Sequence, residues 1–395
     1  MVTLTEADKV LKTFYLDAVT EQMNNKTNPF YAAIKKGSEE VSGKQAVAIC
    51  KHGINGGMGS ATETGALPTS GSNNYLKLVS DLKNIYGTIE ISDKALRASR
   101  DSATSLVNLL NAEMEGLLDA AKFNFGRMLW QSGTGVLCKS GENVELAIPS
   151  STIKVDDTRH VMEGMIIDIL SSSGTIITSG HRITGVYRDI NEFAITPNIP
   201  DISDVEEGSL ITLQQSYNAE INGIPYLYDN SQTYFYENSR TVYSYILPWS
   251  NDVDGDSFTT DAMQETLDLI EERSGNDTDM ILMGYATRRE YLSYLQSTRR
   301  NIDYMNLDGG FKALSYNGIP VVTDKFCLTD DIYFVNTNDF KLMQLCDWQW
   351  IEGDNGKVLM QLEKTPTYTG TLVKYANLVC TKPKGQGRLT GLSLS

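Results

Sequence analysis

Histidine, cysteine and net positive charge are what this sequence has least of. Its three histidines, His52, His160 and His181, are spread over 395 residues with no HxH or HExxH spacing. That excludes a zinc-hydrolase helix, and the expectation is surface or loop imidazoles. The five cysteines, Cys50, Cys138, Cys327, Cys346 and Cys380, are odd in number and form no CxxC pair. They read as free thiols in a reducing compartment, not as a disulfide framework or a zinc site. Lys and Arg total 34 against 50 Asp and Glu, a formal net charge of -16. A surface this acidic repels nucleic acid, whose affinity for proteins comes mainly from Lys and Arg displacing counterions. A dedicated DNA binder is excluded, but a protein that sits beside DNA without adhering to it is not. Long apolar runs are missing too: stretches such as MII in MEGMIIDIL are far too short to span a bilayer. MVTLTEADKV has neither a basic start nor an apolar h-region, so no signal peptide is expected. With 41% hydrophobic residues, the chain has ample material for two or three domains.

Present instead is an unusual stretch, KHGINGGMGSATETGALPTSGSNNY, over residues 51–75. It is rich in Gly, Ser, Thr and Asn and has no apolar periodicity. A phosphate cradle needs GxxxxGK[ST] or GxGxxG at a strand-to-helix junction. Here Gly53, Gly56, Gly57 and Gly59 lead to Ser60, no Lys follows, and no helix opens. Two readings remain, a plain flexible loop and an arm that orders against another surface, such as a neighbouring copy. GKQAVAIC (43–50) and IYGTIEIS (85–92) flank it and look like strands, so the simplest assembly pairs them as an arm with a glycine-rich tip.

Around this arm the pattern is orderly. Residues 5–24 carry a modest amphipathic helix ended by Asn28-Pro29. From Ser102, a plausible N-cap, Leu106, Leu110, Met114, Leu117, Leu118, Ala121, Phe125, Met128 and Leu129 follow at steps of three and four. That predicts a helix of about 28 residues, roughly 40 Å long, stopped at Gly133-Thr134-Gly135. Residues 138–222 break into short strands separated by SSSG, DIN, NIPD and EEGS turns, which suggests an inserted antiparallel barrel or sandwich. Residues 226–345 alternate strand and helix, an α/β layer. Within it TTDAMQETLDLIEERSG is a capped helix with Leu267 and Ile270 inward and Gly275 just past its end. The last fifty residues are strand-like, with Asp354-Asn355-Gly356 expected to turn DWQWIE back onto GKVLMQLEK. NGIP occurs at 222–225 and 317–320, and positive-φ turn chemistry explains both.

Catalytic constellations do not rise above background. No GxSxG elbow is present, and no cysteine sits in a catalytic signature. Asn251 to Asp256 misses the spacing of a calcium loop and reads as a solvated acidic turn. Glu271-Glu272 and Asp330-Asp331 are pairs that fifty acidic residues make inevitable. The tyrosine-rich run YLYDNSQTYFYENSRTVYSYILPW (226–249) fits a core-and-edge strand pair, a protein interface or a sugar-binding face. The basic tail KPKGQGR (382–388) suits a local salt bridge.

The order of these parts resembles the major capsid protein of tailed bacteriophages, the Hong Kong ninety-seven-like fold. GGMGSATETGALP followed by LKNIYGTIEISDKAL resembles its extended loop, and SLVNLLNAEMEGLLDAAKFNFGRMLWQSGTG its spine helix and exit. LSYNGIPVVTDKF and DIYFVNTNDFKL resemble its axial domain. The resemblance implies an α+β chain with the following divisions: N-terminal arm 1–42, extended loop 43–92, peripheral domain with spine helix 93–137, inserted antiparallel β domain 138–222, axial α/β domain 223–345 and a return through the peripheral domain over 346–395. It implies a structural protein, not an enzyme, with no cofactor, that assembles with itself into hexamers and pentamers of an icosahedral shell around double-stranded DNA. Inter-subunit contacts are expected at Asn55, Gly57, Met58, Glu63, Leu67 and Pro68 of the extended loop. The implied partners are a separate scaffolding protein, a portal protein, a decoration protein and packaged DNA held without specific binding, with no membrane. The implied location is the virion capsid, assembled in the host bacterial cytoplasm. An encapsulin-like compartment shell and an acidic carbohydrate-active enzyme are the alternatives. A Lys–Asn crosslinking pair known in some relatives has no residue-by-residue match here.

Overall fold

A computed structural model describes residues 28–94, 103–141, 150–199, 205–297, 304–306, 312–353 and 356–393. The expected helix over 5–24 and the N-cap at Ser102 lie outside these residues, as do the side chains of Leu106 and Leu110. The long helix is Ala103–Met128, 26 residues and about 39 Å. Met114, Leu118, Phe125 and Met128 are buried on one stripe, while Glu113, Glu115 and Asp119 are exposed opposite. Each such buried side chain contributes about 1.5–3 kcal/mol, which pins the helix across the core beneath it. Gly133 and Gly135, at φ 83 and 75, turn the chain out of the helix as the sequence predicts.

The helix lies on a five-stranded sheet. Its centre is strand Thr367–Cys380, paired antiparallel with Phe340–Trp350 on one side and with Lys83–Ser92 on the other. Lys35–Gly37 and Met360–Gln361 complete it. Strand Lys83–Ser92 turns Ile89 and Ile91 inward, and Gly87 passes so close under Leu117 that a Cβ there would sit 2.8 Å from Leu117 Cδ1. Tyr31 and Trp348 meet Phe125 edge-on at 5.1 and 6.2 Å, which locks the helix to both the N-terminal segment and the sheet.

Residues Val136 to Leu213 form a separate six-stranded antiparallel sheet with its own core, which includes Ile153, Ile167, Ile183, Phe193 and Ile211. The bridge from Ser140 to Val155 joins its first and last strands, so the sheet closes into a small barrel. This is the inserted β domain. A mixed seven-stranded sheet, with helices Thr260–Ser274 and Tyr285–Ser297 and a third core around Ile281, Met283, Phe334 and Leu389, forms the α/β layer. Helix Thr260–Ser274 is capped by Thr259 and ends at Gly275 in the left-handed region, φ 58, as expected. Ile270 is buried and Leu267 half-buried on its inner face.

Two of the joints that hold the barrel to the rest lie beside the long helix. At the helix exit, Arg127 forks onto Glu220, with Nη1 to Oε2 at 2.9 Å and Nη2 to Oε1 at 2.5 Å. Arg127 also donates to Gln131, whose Nε2 donates to Val136 O at 2.7 Å. Beside it, Arg159 Nη1 donates to Cys327 O at 2.7 Å, and the His160 ring stacks on Phe326 at 5.9 Å with planes 12° apart.

Several expectations are corrected. Strand 85–92 does not pair with 43–50. Gln45–His52 pairs instead with Asn74–Asp81, a strand starting inside the glycine-rich stretch, in a register from Gln45↔Asp81 to His52↔Asn74. The reason is face matching. Leu76 and Leu78 lie on the same face as Ala46, Ala48 and Cys50, while 83–92 finds ten consecutive partners on the central strand. Trp350 likewise leads no hairpin onto 357–364, because its strand already pairs with 367–380; residues 354–355 of the expected turn lie outside the described set. The first NGIP is no positive-φ turn: Gly223 has φ -83 and sits where a Cβ would strike the carbonyls of Met128, Leu129 and Gln131. The second is one, with Asn317 and Gly318 at φ 51 and 78. Histidines 160 and 181 are buried, not superficial. His181 is held between Thr178 Oγ1 and Pro197 O, each at 2.7 Å. The tyrosine run forms short 3-10 turns and a two-residue hairpin that bury Tyr228, Phe235 and Tyr236 and leave Tyr234 exposed, so it is part core and part surface. The cysteines are all free, and Arg388 of the basic tail lies 3.7 Å from Asp331.

Replacing Arg127 with Ala leaves Glu220, 2% exposed, as an unpaired buried carboxylate. We expect a loss of about 3–5 kcal/mol in denaturant unfolding, largely recovered by Arg127→Met with Glu220→Leu, which removes both charges. Burial, reinforced by Arg127 and Arg159, holds His160 down at about 3. Because the folded value lies below the ordinary 6.5, the neutral ring contributes stability above pH 6.5 that is lost as pH falls toward 3. Nearby Asp324, pushed up to about 6 by burial, works in the opposite sense, gaining stability as pH falls from 6 toward 3.8. Comparison with His160→Phe isolates the imidazole: between pH 7 and 5 the unsubstituted chain loses about 2 kcal/mol more in urea unfolding.

Candidate functional site

Strands Gln45–His52 and Asn74–Asp81 leave the body as a two-stranded arm, and Gly53 to Asn73 form its tip. The root is fixed from three directions. Asn377, fully buried on the central strand, donates from Nδ2 to Ser80 Oγ at 2.9 Å and to Asp81 O at 2.8 Å. Its Oδ1 accepts from Asn222 N at 2.8 Å, so the same side chain also holds the chain leaving the barrel. Asn238 Nδ2 donates to Lys77 O at 2.8 Å, and Val79 N to Tyr236 O at 3.3 Å, covering the edge of the root with the tyrosine segment. Beneath the root is a polar cavity of about 320 Å³ bordered by Asp81, Lys83, Asp229 and Tyr236.

Beyond the root the arm leaves its own core. Side chains alternate along a strand, so the residues between those of the buried row form an outer face: Ile49 opposite Lys77, and Lys51 opposite Tyr75. Ile49 is 72% and Tyr75 63% exposed. In the tip, Ile54, Met58 and Leu67 are 85, 97 and 87% exposed. An apolar group set this far from any core is unusual for a monomer.

The tip has a shape of its own. Asn55 Oδ1 accepts from Gly57 N at 2.9 Å, and a Cβ on Gly57 would lie 2.5 Å from Gly71 N. A Cβ on Gly71 would strike Gly57 N and Asn55 Oδ1. Glycine at both places lets the two strands close to a neck. Above it, Gly65 N donates to Thr62 O at 2.9 Å, and Gly59 packs under Pro68. Of the six residues expected at contacts, Asn55 and Gly57 are thus in the neck, and Met58, Glu63, Leu67 and Pro68 are exposed in the lobe above it. Glu63 is the only charged side chain from Gly53 to Asn73. The outer-face set Ile49, Lys51, Tyr75 and Lys77 was missed; its signal is the alternation that starts at Asn74, where the glycine-rich composition still masks it.

Elsewhere among the described residues no catalytic constellation converges. Among the described residues no three His, Cys, Asp or Glu side chains are placed to share a metal ion. Burial pushes the Cys50 thiol to about 11, and Cys138, Cys327 and Cys380 well above their ordinary range, which makes all four poor nucleophiles. Asp331 is buried and committed to Tyr333, whose hydroxyl donates to it at 2.7 Å. Asp252 Oδ1 accepts from Asp254 N, and Asp254 and Asp256 are exposed, so the acidic segment at 251–256 is a solvated turn.

A projecting arm, a long helix on a five-stranded sheet, an inserted barrel and an α/β layer together make the phage capsid fold, α+β and Hong Kong ninety-seven-like. No family model matches the chain, and no curated protein matches it. It is similar to the solved capsid asymmetric unit of cyanophage A-1(L) over 93% of each chain, at 12% identity and a TM-score of 0.56. The holo-SrpI encapsulin complex of Synechococcus elongatus PCC 7942 matches over 93% of this chain and 89% of that one, at 7% identity and a TM-score of 0.46. The capsid of a native GTA particle matches over 91% and 88%, at 11% identity and 0.44. At such identities the cyanophage likeness speaks for the fold.

Gly71→Ala tests the neck. We expect global unfolding to be nearly unchanged and limited proteolysis between Gly53 and Asn73 to speed up several-fold, because the new methyl meets the Gly56-Gly57 backbone, which cannot swing aside as the Asn55 side chain can.

Proposed function

We infer that this chain is a capsid shell protein whose arm seats on neighbouring copies. The observation that carries this reading is the split along the arm. Its root is built into the chain's own core, while Ile54, Met58 and Leu67 at the tip are left in solvent. A surface supplied by another copy would bury them. Charge points to which surface. The outer face of the arm carries Lys51 and Lys77, whereas the long helix exposes Glu113, Glu115 and Asp119. Beside that helix a groove of about 600 Å³ is bordered by Tyr86, Leu117, Ala120, Asn124 and Trp348. A basic, apolar-edged arm and an acidic, groove-edged helix on every copy are mutually complementary, which favours repeated contact of each copy with the next.

The finer proposal is an icosahedral phage shell of hexamers and pentamers around double-stranded DNA. The divisions at 1–42, 43–92, 93–137, 138–222, 223–345 and 346–395 are kept in it with one shift: residues 83–92 act as part of the peripheral sheet. A net charge of -16 suits a wall that must not hold the genome down. A separate scaffolding protein, a portal and a decoration protein are the partners this reading calls for.

Deleting Gly53–Asn73 should leave a folded, soluble chain by circular dichroism and abolish closed particles by electron microscopy. Lys51→Glu with Lys77→Glu should likewise block assembly, and Glu115→Lys with Asp119→Lys should restore it. Normal particles from the deletion would sink the shell reading. Particles that load proteins in place of DNA would move it to the compartment class.

A further inference from the structure

The sequence holds Asn-Gly pairs at 55–56, 222–223, 317–318 and 355–356, the last beginning outside the described residues. The backbone nitrogen after an asparagine can attack that asparagine's own side-chain carbon. This needs a nitrogen free of other bonds and no Cβ in the way, which is why glycine permits it best. The three described pairs differ in these respects. At Asn222 the attacking nitrogen, Gly223 N, donates to Gln131 O at 2.9 Å and is wedged beneath the helix exit. At Asn317 the side-chain amide is tethered, donating to Gln264 Oε1 at 2.6 Å, inside a tight turn between paired strands. Asn55 has neither restraint. Asn55 and Gly56 are exposed, and neither Gly56 N nor Asn55 Nδ2 has a hydrogen-bond partner among the described residues. The bond from Gly57 N to Asn55 Oδ1 holds the side-chain carbonyl over the Gly56 peptide and draws electron density from Cγ.

We propose that Asn55 is a self-modification site at which the Gly56 amide nitrogen attacks Asn55 Cγ, closing a succinimide and expelling ammonia. The N–Cγ bond forms and the Cγ–Nδ2 bond breaks; the attacking nitrogen gives its proton to solvent, and the leaving amide takes one up. Water then opens the ring at either carbonyl, leaving aspartate or isoaspartate. No oxidant or reductant takes part. Both products place a carboxylate in the neck of a tip whose one charge is Glu63. Isoaspartate also adds a methylene to the main chain where Gly57 and Gly71 touch. Resting on the shell reading above, this makes the arm of an unassembled subunit age until a neighbour covers it.

The test holds the full-length chain in mildly alkaline buffer and follows all three peptides by mass spectrometry in one digest. Conversion at Asn55 should be at least about tenfold faster than at Asn222 or Asn317, and slowed by a similar factor in Gly56→Ala, whose Cβ blocks the approach. Gly56 has open space around it, so this variant keeps the fold. Equal rates at the three sites, or an unchanged rate in Gly56→Ala, overturn the site. Assembly of Asn55→Asp is imaged separately. Fewer closed particles than the parent support the ageing consequence, and an undiminished yield overturns it. Should no variant or parent form particles, the shell reading fails while the mass data still decide the chemistry.

Discussion

The fold turns on one buried amide. Asn377 lies near the C-terminal end of the central strand with no exposure, and its donors and acceptor reach the arm root and the chain leaving the barrel. An amide there must find partners, because an unsatisfied one costs about 1–3 kcal/mol. The partners it finds belong to two distant parts of the sequence, residues 80–81 and residue 222. Satisfying one polar group therefore sets where the arm departs and where the barrel returns. The Arg127–Glu220 pair repeats the device two residues before Asn222, tying the helix exit to the same return segment.

Given a fixed root, the arm can be long without being loose. Its buried row ends at Cys50 and Leu76, and past that point the strands have only each other. A two-stranded ribbon with no core is marginal in water. The glycine neck and the Asn55 turn give the tip a local form, but they bury none of its large side chains. The energetic deficit is at the tip, and the acidic helix face and groove are on the same molecule some distance away. Under the proposed reading, self-association of identical copies would answer both at once, so that reading rests on burial more than on any single residue.

The sequence made the separate elements readable where one periodicity dominates. The long helix was visible because its apolar steps run uninterrupted from Leu106 to Leu129, and helix Thr260–Ser274 because it carries both a cap and a terminal glycine. Residues 74–81 were hidden because their alternation opens on Asn74 and Tyr75, polar and aromatic residues that continue the composition of the loop before them. The histidines were misplaced for a related reason. A ring that stacks on Phe326 or bridges Thr178 to Pro197 is buried by neighbours far along the chain, and nothing local records that.

By itself, then, the amino-acid order determined element types, the acidic balance, the glycine-rich tip and the sequence of parts, since these depend on spacing and composition within a few turns. Only the tertiary structure decided which strands pair, which of the two Asn-Gly-Ile-Pro segments is a turn, and which residues of the arm face solvent. Those outcomes depend on contacts between segments tens to hundreds of residues apart, such as Asn377 with Ser80. Strand pairing in particular is chosen by which faces can be buried together, and burial is a property of the whole folded chain.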